Sequence, residues 1–298
     1  MIDAPGAEPR LFALVPCAGT GSRAGTLGPK QYQPLAGQPL VGHTLAALAR
    51  VGRLAGTLVV LAPDDQQFEE DLPGLAGERL WLAKVGGATR AETVANGLNE
   101  LRARGAQPQD WVLVHDAARC LIRPEWVDRL IDACLDDEVG GLLALPLADT
   151  LKQAHEARVQ STVDRQGKWA AQTPQMFRLG LLASALAFAG EQVTDESSAV
   201  EALGHQPRLV RGEWENFKLT FPPDFALAQR LIQSAGGGPE IRPTLLTRDF
   251  AGAQRFYRDM GFTQEFERDG LAGFTLGRAG FLLRQGPAPS QGAPLHLT

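Results

Sequence analysis

Four short apolar runs, Leu11–Val15, Thr57–Ala62, Trp111–His115 and Gly141–Leu145, carry almost no in–out alternation. Such runs read as strands buried on both faces, the pattern of a parallel sheet covered on each side. Helical stretches lie between them at Leu40–Val51, Arg90–Arg104 and Pro124–Leu135, and in the second Val94, Leu98 and Leu101 share one face. Strand and helix in alternation specify an α/β fold with a doubly wound, Rossmann-like, mostly parallel sheet. Ligands of such sheets bind beyond the carboxyl ends of the strands.

The first apolar run opens into a glycine-rich loop, LFALVPCAGTGSRAGTLGPKQY over residues 11–32. Gly19 and Gly21 allow a tight turn and a close approach of backbone N–H groups to phosphate. Arg23 and Lys30 add fixed positive charge, so the segment reads as a nucleoside triphosphate site. It is not a P-loop, because Lys30 stands between Pro29 and Gln31. Nor is it a dinucleotide fingerprint: the third glycine is Gly25, one residue late, and Pro29 breaks the helix that should follow.

Asp149–Lys168 interrupts the alternation. It is polar, holds strand-like pieces at Thr150–Gln153 and Val159–Val163, and has its turn signal at Arg165–Gly167. It reads as a projecting β-arm with Arg165 at the tip, and a two-stranded arm needs something to pack on. QSAGGGP, residues 233–239, reads as a linker. The organisation expected is therefore a main domain over 1–234, a linker over 235–240 and a small βαβββ-like unit over 241–298. In that unit Phe250, Ala253, Tyr257 and Met260 form a helical stripe closed by Gly261. So short a unit is expected to bury the stripe against another copy or against the main domain.

Composition narrows the function classes. A net charge of −5 argues against a general nucleic-acid binder but leaves room for local cationic clusters. Cys17, Cys120 and Cys134 are widely spaced, which supports neither a disulfide framework nor a zinc site. A reduced, cytoplasmic setting is expected. The opening MIDAPGAEPR has no apolar core of a signal peptide, and no apolar run approaches a membrane span of about 20 residues.

Other segments carry candidate chemistry. Asp116, at the end of the third apolar run, suits a magnesium ligand and equally a helix cap or turn. Residues 86–93 join a glycine turn to a helix start, either to bind a base or ribose or as a plain helix capped by Thr89. Lys218 lies in a strand-like run before Pro222, and His115 reads as a packed histidine.

PCAGTGSR, PKQY, GGATRAETV, WVLVHDAAR, LADT, TVDR, QTPQ, TDESSAVE and NFKLT occur in that order within residues 11–232. Together they resemble the 2-C-methyl-D-erythritol 4-phosphate cytidylyltransferase family. The resemblance implies CTP, Mg²⁺ and methylerythritol phosphate as ligands, and a homodimer in which each β-arm reaches toward the other subunit's site. It implies charge stabilisation at the transferring phosphate by Arg23 and Lys30, and Mg²⁺ held with help from Asp116. Thr150, Arg165 and Lys218, with Arg119, would position the sugar phosphate, while Ala18, Gly19, Gly87 and Thr93 would line the nucleotide site. Departures from the pattern are Ala88 for an aspartate beside the base, Cys120 for a proline, and Glu215 for an aspartate near the metal. Rival readings are a cytidylyltransferase for another polyol phosphate, such as ribitol 5-phosphate, and a nucleotide-binding regulator without turnover. The C-terminal unit resembles one half-module of the glyoxalase and bleomycin-resistance superfamily. Its first strand lacks a histidine and only His296 follows late, so a structural or oligomerising appendage is expected.

Overall fold

The structure is a computed structural model, and it describes residues 8–19, 28–190, 193–235, 244–276 and 279–286. Gly21, Arg23, the centre of the linker and His296 lie outside the described residues. The chain divides into two compact units, residues 1–233 and 234–298.

The first unit begins with β1 (Leu11–Cys17), a single 3-10 turn at Lys30–Tyr32, and a small ribbon of β2 (Pro34–Leu35) and β3 (Gln38–Pro39). There follow α1 (Leu40–Ala49), β4 (Leu54–Leu61), α2 (Gln67–Asp71), β5 (Leu80–Ala83), α3 (Arg90–Ala103), β6 (Trp111–Val114), α4 (Pro124–Cys134) and β7 (Gly140–Pro146). The chain continues through β8 (Leu151–His155), β9 (Arg158–Val163), β10 (Trp169–Arg178), α5 (Leu179–Ala189), α6 (Glu196–Ala202), β11 (Arg208–Arg211) and α7 (Pro222–Ala235).

Seven strands form the central sheet in the order β11-β7-β10-β6-β1-β4-β5. Neighbours are parallel except β10, which runs antiparallel to both β6 and β7. β1 sits near the middle, and Leu14 pairs with Leu58 on one side and Val114 on the other. Phe12 to Val15 are all buried, as expected of a strand with helices on both faces. One face packs Leu45, Leu48, Trp126 and Leu130 of α1 and α4; the other packs Val94, Leu98, Leu101 and Leu182 of α3 and α5. α3 lies very close to the sheet, because a Cβ at Gly97 would stand 2.7 Å from both Leu14 Cδ1 and Val60 Cγ2. Any larger residue there would push the helix off β1, from whose end the glycine loop departs.

The β-arm exists, but its polarity differs from the sequence expectation. β8 and β9 pair as a hairpin whose tip is Glu156–Ala157, both at positive φ (46° and 61°). Two left-handed residues match the twist of a two-residue hairpin, although neither is the usual Asn or Gly. The signal at Arg165–Gly167 is a real turn in a different place. Asp164 accepts from the Gln166 N–H at 2.9 Å, Gly167 has φ 69°, and the turn joins β9 to β10. Arg165 therefore stands at the root of the arm, not the tip. Leu151 pairs with Val163, so Thr150 flanks the same root. The run at Phe217–Thr220, expected as a strand, is irregular and held by Leu219 N–H to Ala118 O at 2.9 Å.

The second unit comprises β12 (Thr244–Thr247), α8 (Phe250–Asp259), β13 (Thr263–Arg268), β14 (Leu271–Leu276) and β15 (Ala279–Gln285). Its sheet order is β12-β15-β14-β13. Asp249 caps α8 by accepting from Gly252 N–H at 2.8 Å. The expected stripe needs two corrections. Phe250, Ala253 and Tyr257 pack on the unit's own Phe274 and Phe281 and are partly buried there, so the unit covers much of the stripe itself. Met260 is 56% exposed, and Phe262 takes its place against the rings. No helix among the described residues is long and apolar enough to cross a membrane.

Candidate active site

At the carboxyl ends of β1 and β6 the first unit opens into a cleft of about 610 Å³. Its walls are the end of β1 with Ala18 and Gly19, the turn at Lys30, the loop from Gly87 into α3, Asp116–Ala118 after β6, and Lys218 with Thr220. Seven residues singled out from sequence thus share one cavity: Ala18, Gly19, Lys30, Gly87, Thr93, Asp116 and Lys218. Arg119, Thr150 and Arg165 do not line its described part.

The first turn of α3 is built by its own side chains. Thr89 caps the helix by accepting from Glu92 N–H at 3.1 Å, and Thr93 Oγ1 bonds Thr89 O at 2.9 Å and receives Gly87 N–H at 3.1 Å. Glu92 reaches back to Ala88 N–H at 2.8 Å, so a carboxylate stands beside position 88 although Ala88 has none. Gly86 must be small here, since a Cβ would lie 2.7 Å from Leu61 O. Lys30 is placed by its 3-10 turn, which Gln31 ties to Cys17 O at 3.0 Å, and its ammonium donates to Leu219 O at 2.9 Å.

Asp116 is the electrostatic centre. It is 7% exposed, and its carboxylate receives Arg90 Nε at 2.9 Å on Oδ1 and Lys218 Nζ at 2.8 Å on Oδ2, with Arg119 Nε 4.0 Å away. Burial alone would raise its pKa, but Arg90, Lys218 and Arg119 outweigh burial and hold it far below the usual carboxylate range. Of the uses left open by sequence, capping does not fit, because the carboxylate bonds side-chain cations and not a helix amide; the turn does, since Asp116 O accepts from Arg119 N–H at 3.0 Å. Its own N–H donates to Thr173 Oγ1 at 3.0 Å.

His115 is fully buried between Thr173 Oγ1, 3.0 Å from Nδ1, and Arg119 O, 3.2 Å from Nε2. A carbonyl only accepts, so Nε2 carries the proton and Nδ1 takes the Thr173 hydroxyl hydrogen. Burial is the largest influence and lowers this pKa to about 4. The ring is a neutral strut. Cys17, in the cleft wall, has its thiol pushed well above the ordinary range, chiefly by burial, which leaves no thiolate nucleophile.

Several positions behave differently from their expected roles. Arg119 points its terminal nitrogens at Asn216 O (2.7 Å) and Ala171 O (3.3 Å), bracing the loop behind Asp116. Thr150 and Arg165 are exposed at the arm root. Glu215 pairs with Arg123 and is not part of the cleft wall. Two contributors were not singled out from sequence. Arg90 lines the cleft and meets Asp116, and its other nitrogens grip Glu196, which is 1% exposed, at 2.6 and 3.0 Å. Both occur in quoted motifs, Arg90 in GGATRAETV and Glu196 in TDESSAVE, and the fold brings them together.

The donor set bears on magnesium. Asp116 is the sole carboxylate in the described cleft wall, and no group of three or more metal-ligating residues occurs among the described residues. That does not make an all-protein cage. It fits Mg²⁺ arriving with a polyphosphate, where one carboxylate joins the substrate's oxygens.

The first unit is similar to proteins already known. The family model for 2-C-methyl-D-erythritol 4-phosphate cytidylyltransferase matches residues 11–234. A bifunctional enzyme IspD/IspF of Albidiferax ferrireducens is 60% identical over 230 residues, taking in 77% of this chain and 54% of that longer protein. A 2-C-methyl-D-erythritol 4-phosphate cytidylyltransferase of Burkholderia cenocepacia is 52% identical over 229 residues, 75% of this chain and 96% of that one. A crystal structure of a 4-diphosphocytidyl-2C-methyl-D-erythritol synthase superposes with TM-score 0.66 at 40% identity, covering 75% of this chain and 98% of that chain. The cytidylyltransferase of Francisella tularensis gives 0.64 at 30% identity, covering 74% and 99%.

Proposed function

The chain belongs to the 2-C-methyl-D-erythritol 4-phosphate cytidylyltransferase family, and on that premise we propose that its cleft joins CTP to methylerythritol phosphate. The products are 4-diphosphocytidyl-2-C-methyl-D-erythritol and pyrophosphate, made for isoprenoid synthesis. The observation that carries this reading is the meeting of Lys30, Lys218 and the Asp116 carboxylate with a glycine-turn backbone in one cleft at the strand ends.

The chemistry requires little more. A phosphate oxygen of the acceptor, already anionic, forms a bond to the α-phosphorus of CTP. The bond from that phosphorus to the bridging oxygen breaks, and its electron pair leaves with pyrophosphate. No general base is needed, which agrees with a buried histidine whose lone-pair nitrogen already takes the Thr173 hydroxyl hydrogen and with a thiol held protonated. Catalysis is then positioning plus stabilisation of charge on the non-bridging oxygens and the leaving group. Lys30, with Arg23 from the loop, meets that charge. Lys218 exchanges Asp116 for the acceptor phosphate. Backbone groups of Ala18, Gly19, Gly21 and Gly87, with Thr93, hold the nucleotide. Asp116 and the substrate phosphates would hold Mg²⁺, which supplies charge neutralisation.

Thr150 and Arg165 complete the acceptor subsite in this proposal, while Arg119 holds the loop behind Asp116 through Asn216 O and Ala171 O. The exposed hairpin of β8 and β9 supports an arm that serves a second copy of the chain, giving a homodimer in which arm roots border the partner's cleft. Three free thiols support a reducing, cytoplasmic setting. The second unit, with its own apolar core, is read as an appendage to this chemistry.

The test is pyrophosphate release with CTP and Mg²⁺, given methylerythritol phosphate or ribitol 5-phosphate. Turnover with the first alone supports the proposal. Turnover only with the second assigns another polyol phosphate, and turnover with neither leaves the nucleotide-binding regulator.

A further inference from the structure

Arg90 contributes one nitrogen to Asp116 and two to Glu196, and so ties the end of β6 to the start of α6 across the cleft wall. We propose that Arg90 and Glu196 are positioning residues for this reaction: through Asp116 they fix where the Lys218 ammonium waits for the acceptor phosphate. The inference rests on the function proposed above and adds two residues to it.

The geometry makes the chain of contacts continuous. The Glu196 carboxylate takes Arg90 in a two-point fork, which fixes both the plane and the direction of the guanidinium. Arg90 Nε then reaches Asp116 Oδ1 at 2.9 Å, which turns Oδ2 toward Lys218 Nζ at 2.8 Å. Glu196 is itself fixed from the far side, because α6 is capped by Asp195, whose carboxylate accepts from Ser198 N–H and from Gln175 Nε2, both at 2.9 Å. Gln175 also accepts from Ser197 N–H at 2.7 Å, pinning the start of α6 to β10. A lysine at position 90 could not do the same: one ammonium has no planar fork with which to hold one carboxylate at two points while bonding the other. Glu196 pairs with Arg90 and Lys218 with Asp116, so the proposed influence of Glu196 on Lys218 runs through Arg90 and Asp116.

A kinetic double-mutant cycle tests this with the full chain. Glu196→Gln keeps the shape and removes the charge that orients Arg90. In the native background kcat should fall about 10-fold or more and the acceptor KM should rise, while the CTP KM stays within about threefold. In a Lys218→Ala background the same substitution should cost less than about threefold, because the residue it positions is gone. Glu196→Asp, which keeps the charge, should restore part of the rate. Arg90→Lys gives a second cycle with the same expected pattern if the Glu196→Gln protein does not fold. Additive losses in both backgrounds, or an unchanged kcat, overturn the relay. A wild type inactive with CTP and both acceptors overturns the assigned reaction and the relay with it; additivity in an active wild type overturns the relay alone.

Discussion

Acid should destabilise this protein through His115, and the size of the effect follows from its surroundings. The ring is fully buried, donates from Nε2 to Arg119 O and accepts from Thr173 at Nδ1. A second ring proton would displace the Thr173 hydrogen and place a charge on a fully buried ring. The folded pKa is accordingly lowered from 6.5 to about 4. The folded state therefore binds fewer protons than the unfolded chain across that window. Stability is full above about pH 6.5 and falls as the pH drops toward 4. Linkage with these two values gives a loss of about 2 kcal/mol between pH 8 and pH 5 from this one residue. Other groups titrate too, so the measurement is a difference. Urea unfolding of the wild type and of His115→Gln, which can still bond both neighbours, is compared at the two pH values. All five tryptophans lie within residues 81–214, so their fluorescence reports the first unit alone. The wild type should lose about 2 kcal/mol more than the variant. Equal losses would refute the reasoning and mean that the ring accommodates its proton in the fold. Asp116, whose pKa is depressed, adds a separate loss only below its unfolded value near 4.

Three further outcomes are expected. Lys30→Ala should lower kcat on the order of 10²-fold or more, with a much smaller change in CTP affinity measured by calorimetry, because its charge matters most in the transition state. Arg165→Ala should raise the acceptor KM and lower kcat while CTP binding holds; loss of CTP binding with an unchanged acceptor KM would reverse the assignment. Ending the chain after Ser234 should leave a folded, dimeric, active enzyme by light scattering and CTP turnover, and a dimeric but inactive product would make the second unit part of the site.

Four of the six parallel strands, the helices between them and the cleft position were legible because continuous apolar runs have few other uses; the short edge strands β5 and β11 were not. Of what escaped, the part nearest the cleft was built from polar residues. β10 reads WAAQTPQMFR, and Gln172, Thr173 and Gln175 are buried in it. Their side chains satisfy Glu213 O, His115 and Asp195 instead of forming an apolar face. Pro174 further breaks the pattern expected of a central strand, and the ladder shifts register between Ala171 and Gln175. The arm was found but reversed, because the stronger turn composition, Asp-Arg-Gln-Gly, lies at its root and the tip carries Glu-Ala. Lys218 and Asp116 could be picked out by type and motif. Arg90 and Glu196 lie in two of the same motifs, GGATRAETV and TDESSAVE, but their pairing was not legible, since a buried ion pair joining residues 106 apart leaves no local trace.

That pair also helps explain how a chain of net charge −5 can present a site for two anionic substrates. Lys30, Lys218, Arg90 and Arg119 stand against Asp116 and Glu196, with His115 neutral, so this cluster is positive while the whole protein is negative. Unpaired, four cations so close together would repel one another and resist desolvation. The two carboxylates relieve that repulsion and give Lys218 and Arg90 fixed partners before any substrate arrives. In the function proposed above, an incoming phosphate would meet cations already in place, and Lys218 would change partner instead of becoming ordered from solvent. The buried acids thus lower the reorganisation needed at the moment of reaction, which is where electrostatic catalysis gains most. By the same argument, Asp116→Asn should impair turnover more than ground-state CTP binding, even though it makes the cleft more positive.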